Sequence, residues 1–188
     1  MAASKADSRA RLIQAAVALS YRRGFRTTSL ADIAKEAGVP LGNVYYYFKT
    51  KGEIGHAIIE VRLAQFETAR RSWDLFRSPK ERLCASVDAV RDTKQDRAAH
   101  GCPIGTLSTD LRREGGLLAD RASVLFSRYM AWLEAQFMDM GKKKTEARGL
   151  ALHLLSVLEG ISLLANSFRD PALVDAETAR LKKWVRGL

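Results

Sequence analysis

The four prolines of this 188-residue chain each stand where a helix would begin, and this placement constrains the fold more than any other feature. Pro40, Pro79, Pro103 and Pro171 each precede a segment in which apolar residues recur every three or four positions. The apolar-polar alternation that is typical of strands does not occur. The pattern predicts an all-α protein of about nine helices.

Local start and stop signals divide the chain into a small and a large part. Ser29 and Thr50 are predicted N-caps, and Gly24 and Gly38 are predicted helix stops. We expect a three-helix domain over residues 1–50 and a helical bundle over residues 51–188. The predicted helices are about 8–23, 29–37, 40–48, 50–77, 79–97, 102–113, 117–140, 143–168 and 171–186.

The second and third predicted helices are short and lie on either side of Gly38, which is the spacing of a helix-turn-helix motif. An apolar seam is predicted between them, formed by Leu30, Ile33, Ala34, Ala37, Val39, Val44 and Phe48. If Val44 and Phe48 face inward, their neighbours on the third helix must face outward. The predicted outward set is Leu41, Gly42, Asn43, Tyr45 and Tyr46.

The stretch "GNVYYYFKTKGE" (42–53) carries the chemistry of this outward face. Three consecutive tyrosines cannot all lie on one buried helical stripe, so at least one must face water or a partner. Asn43 can pair with the edge of an adenine, while tyrosine hydroxyls and Lys51 can hold phosphates. These residue types together predict a DNA-binding surface.

Residues 9–55, which include "AGVPLGNVYYYFKTK", resemble the DNA-binding domain of the TetR family of bacterial repressors. The resemblance implies a ligand-responsive repressor that binds a near-palindromic operator as a homodimer. It also implies that Pro40, where relatives often have serine or threonine, removes a capping hydroxyl. The positions that the resemblance places on DNA are Ser29, Pro40, Leu41, Gly42, Asn43, Tyr45, Tyr46, Tyr47 and Lys51.

Charge is consistent with a nucleic-acid partner. The chain has a formal net charge of +10 and a pI of about 9.9. Residues 1–55 contain nine lysines and arginines against four acidic residues, so half of the excess lies in under a third of the chain. Neutralisation of phosphates by these residues should make binding depend steeply on salt.

The larger predicted part has an aromatic group and two apolar stripes. A small, largely apolar effector could bind at a cavity in the bundle, and its signal would reach the DNA-binding domain through the fourth helix. The candidate effector residues are Phe66, Trp73, Cys102, Phe126, Tyr129 and Trp132. Dimerisation is expected through the last two helices, with Leu150, Leu154, Leu158, Ile161, Val174, Leu181 and Trp184 at the interface.

Several alternatives stay open at this point. Cys102 before Pro103 would lie near a helix N-terminus, where a thiolate is favoured, so a repressor that senses electrophiles or oxidants through this thiol is possible. A DNA-binding architectural protein without an effector is another possibility. A bundle enzyme or a metal protein is a third, but His100 and Cys102 alone are a weak metal signal.

We expect no enzymatic activity, no cofactor and no metal. No catalytic triad spacing or phosphate-binding loop occurs. No apolar run approaches a membrane span, and the chain begins without a secretory segment, so a cytoplasmic location without membrane contact is expected.

Overall fold

A computed structural model of the protein describes residues 5–188, and every regular element within that range is a helix. The predicted all-α class is therefore confirmed. The helices are α1 Lys5–Arg23, α2 Leu30–Ala37, α3 Leu41–Tyr47, α4 Lys51–Trp73, α5 Pro79–Asp92, α6 Lys94–His100, α7 Gly105–Glu114, α8 Gly116–Asp139, α9 Lys144–Phe168 and α10 Pro171–Gly187.

Local chemistry explains most of the boundaries. Ser78 caps α5 in a reciprocal capping box with Glu81, and Pro79 occupies the first turn of the helix. Thr93 interrupts the helix predicted from Pro79 to about Arg97, and the segment is divided there into α5 and α6. Helix α4 ends at Trp73, four residues earlier than predicted.

The chain forms two compact units. The first comprises the N-terminal residues up to Ala64 together with Thr106–Leu125, and the second comprises Gln65–Gly105 with Phe126–Leu188. The first unit is thus larger than the helix-turn-helix segment, because most of α7 and the first part of α8 belong to it. The chain passes between the units three times, each time inside a helix, namely α4, α7 and α8.

The core of the second unit is built around α9. Leu154, Leu158 and Ile161 are each at most 3% exposed and pack with residues of α5, α8 and α10. Within residues 5–188, α9 is the one helix long and apolar enough to cross a membrane by length and composition. The expectation that no stretch approaches a membrane span was too strict for α9. A core helix of a soluble protein meets the same criterion.

Candidate nucleic-acid interface and regulatory core

The helix-turn-helix is assembled by capping and by one arginine. Ser29 caps α2: its Oγ accepts from the N–H of Asp32 (3.1 Å), and the Asp32 carboxylate accepts from the N–H of Ser29 (2.9 Å). These hydrogen bonds from Ser29 lower the pKa of Asp32. Gly38 ends α2 with φ +60°, a conformation that favours glycine. The predicted cap and stop are therefore correct.

Arg11 of α1 holds the turn that follows α2. Its Nε donates to the carbonyl of Ala37 (3.0 Å), and Nη2 donates to the carbonyl of Gly38 (2.7 Å). These are carbonyls that a helix C-terminus leaves without intrahelical partners. Sequence analysis did not single out Arg11, because nothing local links it to a turn 26 residues away.

Helix α3 has the predicted inner and outer faces. Val44 and Phe48 are buried at 0% and 2% exposure, whereas Tyr45 and Tyr46 are 50% and 62% exposed. The remaining predicted outward residues, Leu41, Gly42 and Asn43, are also exposed. Tyr47 is partly buried and packs edge-on against Tyr46, with ring centroids 4.9 Å apart. A continuous exposed face thus carries aromatic, amide and backbone groups.

Gly42 is exposed on this face for a reason that the protein itself does not supply. A Cβ placed at Gly42 would meet no atom within 4 Å, and its φ is an ordinary one. Glycine in a helix costs about 1 kcal/mol relative to alanine. Neither backbone conformation nor internal packing requires glycine here, which leaves close approach to a partner as the reason.

The basic residues that follow α3 are tied to the protein. The Lys49 ammonium donates to the carbonyl of Tyr45 (2.6 Å) at the C-terminal end of α3. The Lys51 ammonium donates to the carbonyl of Arg26 (2.8 Å) and lies 4.9 Å from the centre of the Phe25 ring. Lys51, predicted as a phosphate contact, therefore has a structural role in this state.

The cap of α4 differs slightly from the prediction. The N–H of Glu53 donates to Thr50 Oγ1 (3.2 Å), as expected of an N-cap. The Glu53 carboxylate, however, accepts from the N–H of Lys49 (2.9 Å), one residue before the cap. This contact joins the end of α3 to the start of α4.

At Pro40, no side-chain hydrogen bond caps α3. The N–H of Asn43 instead donates to the carbonyl of Pro40 (2.9 Å). The loss of a capping hydroxyl, implied by the family resemblance, is therefore present in the structure.

In the second unit, four of the predicted effector residues form one aromatic cluster. Phe66, Trp73, Tyr129 and Trp132 have neighbouring ring centroids 5.1–6.3 Å apart and are each 7–9% exposed. Phe126 is partly buried and packs against the same core. Trp132 Nε1 donates to Asp74 (2.9 Å), whose other oxygen pairs with Arg70 at 2.6 Å.

Cys102 is close to a buried carboxylate rather than to an activating charge. Burial, first, and then the negative charge of Glu159 raise the pKa of Cys102 to about 11. Its thiol hydrogen-bonds to the Glu159 carboxylate, and α7 begins only at Gly105. The expectation that a helix N-terminus favours the Cys102 thiolate is therefore wrong, because desolvation dominates.

The predicted dimer residues are largely buried within the protomer. Leu154, Leu158, Ile161, Val174 and Leu181 are at most 4% exposed, and Leu150 and Trp184 are partly buried against the same core. They stabilise the fold of one chain, so their assignment to an interface is wrong. The exposed apolar residues of α9 lie elsewhere on the helix: Leu152, Leu163, Leu164 and Phe168, at 57%, 65%, 46% and 68%.

A three-helix head with an exposed α3, followed by a helical unit with an aromatic core, defines a helix-turn-helix DNA-binding protein with a regulatory domain. Two family models match the chain. Residues 12–58 match the N-terminal domain of the bacterial regulatory proteins of the tetR family, and residues 79–178 match the LmrA/YxaF-like C-terminal domain of transcriptional regulators.

Individual relatives agree with this class. The chain is 25% identical over 179 residues to the HTH-type transcriptional regulator YxaF of Bacillus subtilis, covering 93% of this chain and 94% of the relative. It is 28% identical over 163 residues to an HTH-type transcriptional regulator in the lacX 3′ region of Lactococcus lactis, covering 85% and 74%. The fold matches a TetR transcriptional regulator from Legionella pneumophila with a TM-score of 0.85 at 21% identity, covering 97% and 98%.

The chain belongs to the TetR family of transcriptional regulators, with an LmrA/YxaF-like C-terminal domain. It is a DNA-binding regulator of a family that is not enzymatic.

Proposed function

We propose that this regulator is a homodimeric repressor that leaves a near-palindromic operator when a small, largely apolar effector binds its second unit. The observation that carries the proposal is the exposed face of α3, where Gly42 and Asn43 lie between exposed aromatic residues. An amide can form two hydrogen bonds with adenine, and a glycine lets the helix backbone approach the groove closely. The protein acts in the cytoplasm, together with its DNA.

Two copies of α3 must enter successive major grooves about 34–36 Å apart, which requires a two-fold dimer. The exposed apolar residues of α9 support this face as the dimer contact. Gly149 and Gly160 lie on the same helix, and a Cβ at either would meet no atom within 4 Å. Two mid-helix glycines without an internal reason fit a close approach of the partner's helix.

Signal transfer is proposed to run through α7 as well as α4. In the second unit, Gly105 at the start of α7 lies against Glu159, and an added Cβ there would overlap the carboxylate. In the first unit, Asp110 of the same helix accepts from the N–H of Phe25 (2.7 Å), and Glu114 pairs with Arg26 at 3.4 Å. A shift at the first residue of α7 would therefore reach the loop before α2.

The thiol-sensing alternative is not favoured by the site. A nucleophilic cysteine needs a low pKa and access to solvent. Cys102 is 8% exposed, and burial raises its pKa to about 11.

The proposal is tested by gel shift with DNA from the promoter region of the protein's own gene, at several salt concentrations. We expect a sequence-specific shift with a steep salt dependence. Asn43→Ala should reduce the preference for that DNA over random DNA by about tenfold or more, the value of one good base contact. Gln95→Ala, exposed on α6 of the second unit, is the control and should bind as the wild type does. Equal affinity of the wild type for both DNAs would contradict the proposal.

A further inference from the structure

The second unit contains a buried carboxylate that has no ion-pair partner. Glu159 lies on α9, and among residues 5–188 no lysine, arginine or histidine side chain forms an ion pair with it within 4 Å. Its polar neighbour is the Cys102 thiol, which donates to it. A buried charge that is not paired is costly, and proteins that retain one commonly use it at a functional site.

The nearest basic residue is committed elsewhere. The Arg97 guanidinium donates to Ser162 Oγ (2.7 Å) and to Thr93 Oγ1 (3.0 Å), both of them neutral groups. Arg97 attracts the Glu159 charge from beyond ion-pair distance but does not neutralise it by contact. The second carboxylate near the aromatic cluster, Asp74, is by contrast satisfied by Arg70 and Trp132. Glu159 is therefore the acidic group in this core with capacity for a further cation.

Sequence at a neighbouring position agrees with a place kept for this carboxylate. Gly105 has no Cβ, and one added there would overlap Glu159 Oε2. Since its φ lies outside the left-handed region, glycine is explained by this close approach and not by backbone conformation.

The carboxylate is also next to the aromatic cluster. Tyr129 experiences the charges of Arg97, Cys102 and Glu159, and its ring is 5.5 Å from Phe66 and 6.1 Å from Trp73. Aromatic faces attract cations, and they also supply apolar area. A carboxylate beside four rings is suited to a ligand with an apolar body and a positive charge.

We propose that the effector is a lipophilic organic cation whose charged nitrogen pairs with Glu159 while its apolar body contacts the aromatic cluster. This inference rests on the proposed effector-responsive function and names the chemical class of the effector. Entry of the cation would give Glu159 a stronger partner than the Cys102 thiol. The carboxylate would then move relative to Gly105, the first residue of α7.

The test uses two probes of equal shape, phenyltrimethylammonium and its neutral isostere tert-butylbenzene. Binding to the full-length protein is followed by quenching of tryptophan fluorescence, because Trp73 and Trp132 belong to the cluster. We expect the cation to bind at least tenfold more tightly than the neutral probe. Glu159→Gln should remove that preference and leave the affinity for the neutral probe within about twofold.

The matched control is Glu146→Gln, an exposed glutamate of the same helix that pairs with Lys142, and it should keep the wild-type preference. Glu159→Asp, which retracts the carboxylate by one methylene, should weaken the cation by an intermediate factor and serves if Glu159→Gln does not fold. Equal affinities of the two probes in the wild type, a preference that survives Glu159→Gln, or no binding of either probe would each overturn the proposal.

Operator binding of the same proteins by gel shift keeps the two proposals separate. Glu159 lies in the second unit, so Glu159→Gln should bind operator within about twofold of the wild type. If the probe titration fails while operator binding is specific, the cation proposal falls and the repressor proposal stands. If operator binding fails, the repressor proposal falls, whatever the probes do.

Discussion

The carboxylate of Asp110 accepts a 2.7 Å hydrogen bond from the backbone N–H of Phe25, which lies 85 positions earlier in the chain. The same oxygen is 3.0 Å from the position a Cβ would take on Gly24, whose φ is +91°. Helix α7 thus holds the loop between α1 and α2 through one side chain. No local sequence pattern indicates this contact, because it depends on two distant segments meeting.

Replacement of Asp110 by alanine should weaken operator binding about tenfold. The change leaves the Phe25 N–H without its partner, and an unsatisfied buried donor costs about 1–3 kcal/mol, which loosens the loop that precedes α2. Asp110→Asn retains an acceptor oxygen and should bind more tightly than Asp110→Ala. Affinity is measured by fluorescence anisotropy with labelled operator. Wild-type affinity in Asp110→Ala would show that this bond does not position the head.

Gly42→Ala should affect stability and DNA binding in opposite directions. Alanine is the better helix former, and nothing lies within 4 Å of the added methyl group, so the free energy of unfolding should rise by up to about 1 kcal/mol. Affinity for operator should nevertheless fall about tenfold or more, because the methyl group keeps the helix from the DNA. Thermal unfolding and anisotropy titration on one preparation check both. Unchanged affinity would mean that Gly42 does not approach DNA.

Leu163→Glu should give monomers. Leu163 is 65% exposed on α9, and a charge there opposes a dimer contact without disturbing the protomer core. The control is Leu117→Glu on α8, where a leucine that is 79% exposed is changed in the same way and should stay dimeric. Sedimentation velocity distinguishes the two species. A dimeric Leu163→Glu protein would place the interface elsewhere.

Cys102 should label slowly with iodoacetamide at neutral pH. Its pKa is raised to about 11 by burial, so the thiolate fraction falls tenfold for each pH unit below that value. At pH 8 we expect labelling about 100-fold slower than that of a free thiol with a pKa of about 8.5. A Cys84→Ser protein is used, so that Cys102 is the one thiol followed. Labelling as fast as a free thiol would revive the thiol-sensing alternative.

Glu159→Gln should stabilise the fold near neutral pH and not at acid pH. Burial raises the pKa of Glu159, opposed by the smaller effects of the Cys102 hydrogen bond and of Arg97. A carboxyl whose pKa is raised on folding destabilises the folded state as pH rises above its unfolded pKa. The gain should be about 1 kcal/mol at pH 7.5 and should vanish near pH 4. Urea unfolding at both pH values measures it, and an equal effect at both would contradict the assignment.

The sequence by itself determined the class, the helix-turn-helix and most helix limits. Capping at Ser29 and the stop at Gly38 act within a few residues. The inner and outer faces of α3 could be predicted as well, because Val44 and Phe48 are apolar and four positions apart, while most of the other side is polar or aromatic.

Tertiary structure alone decided which side of α9 is inside. Leucines occur on both sides of this helix, so periodicity could not distinguish Leu158, 2% exposed, from Leu163, 65% exposed. The pairing of Glu159 with Cys102, and of Lys51 with the Arg26 carbonyl, also joins segments distant in sequence. Local propensity acts over a turn or two of helix, whereas burial and charge depend on which segments pack together, and that is decided only when the chain folds.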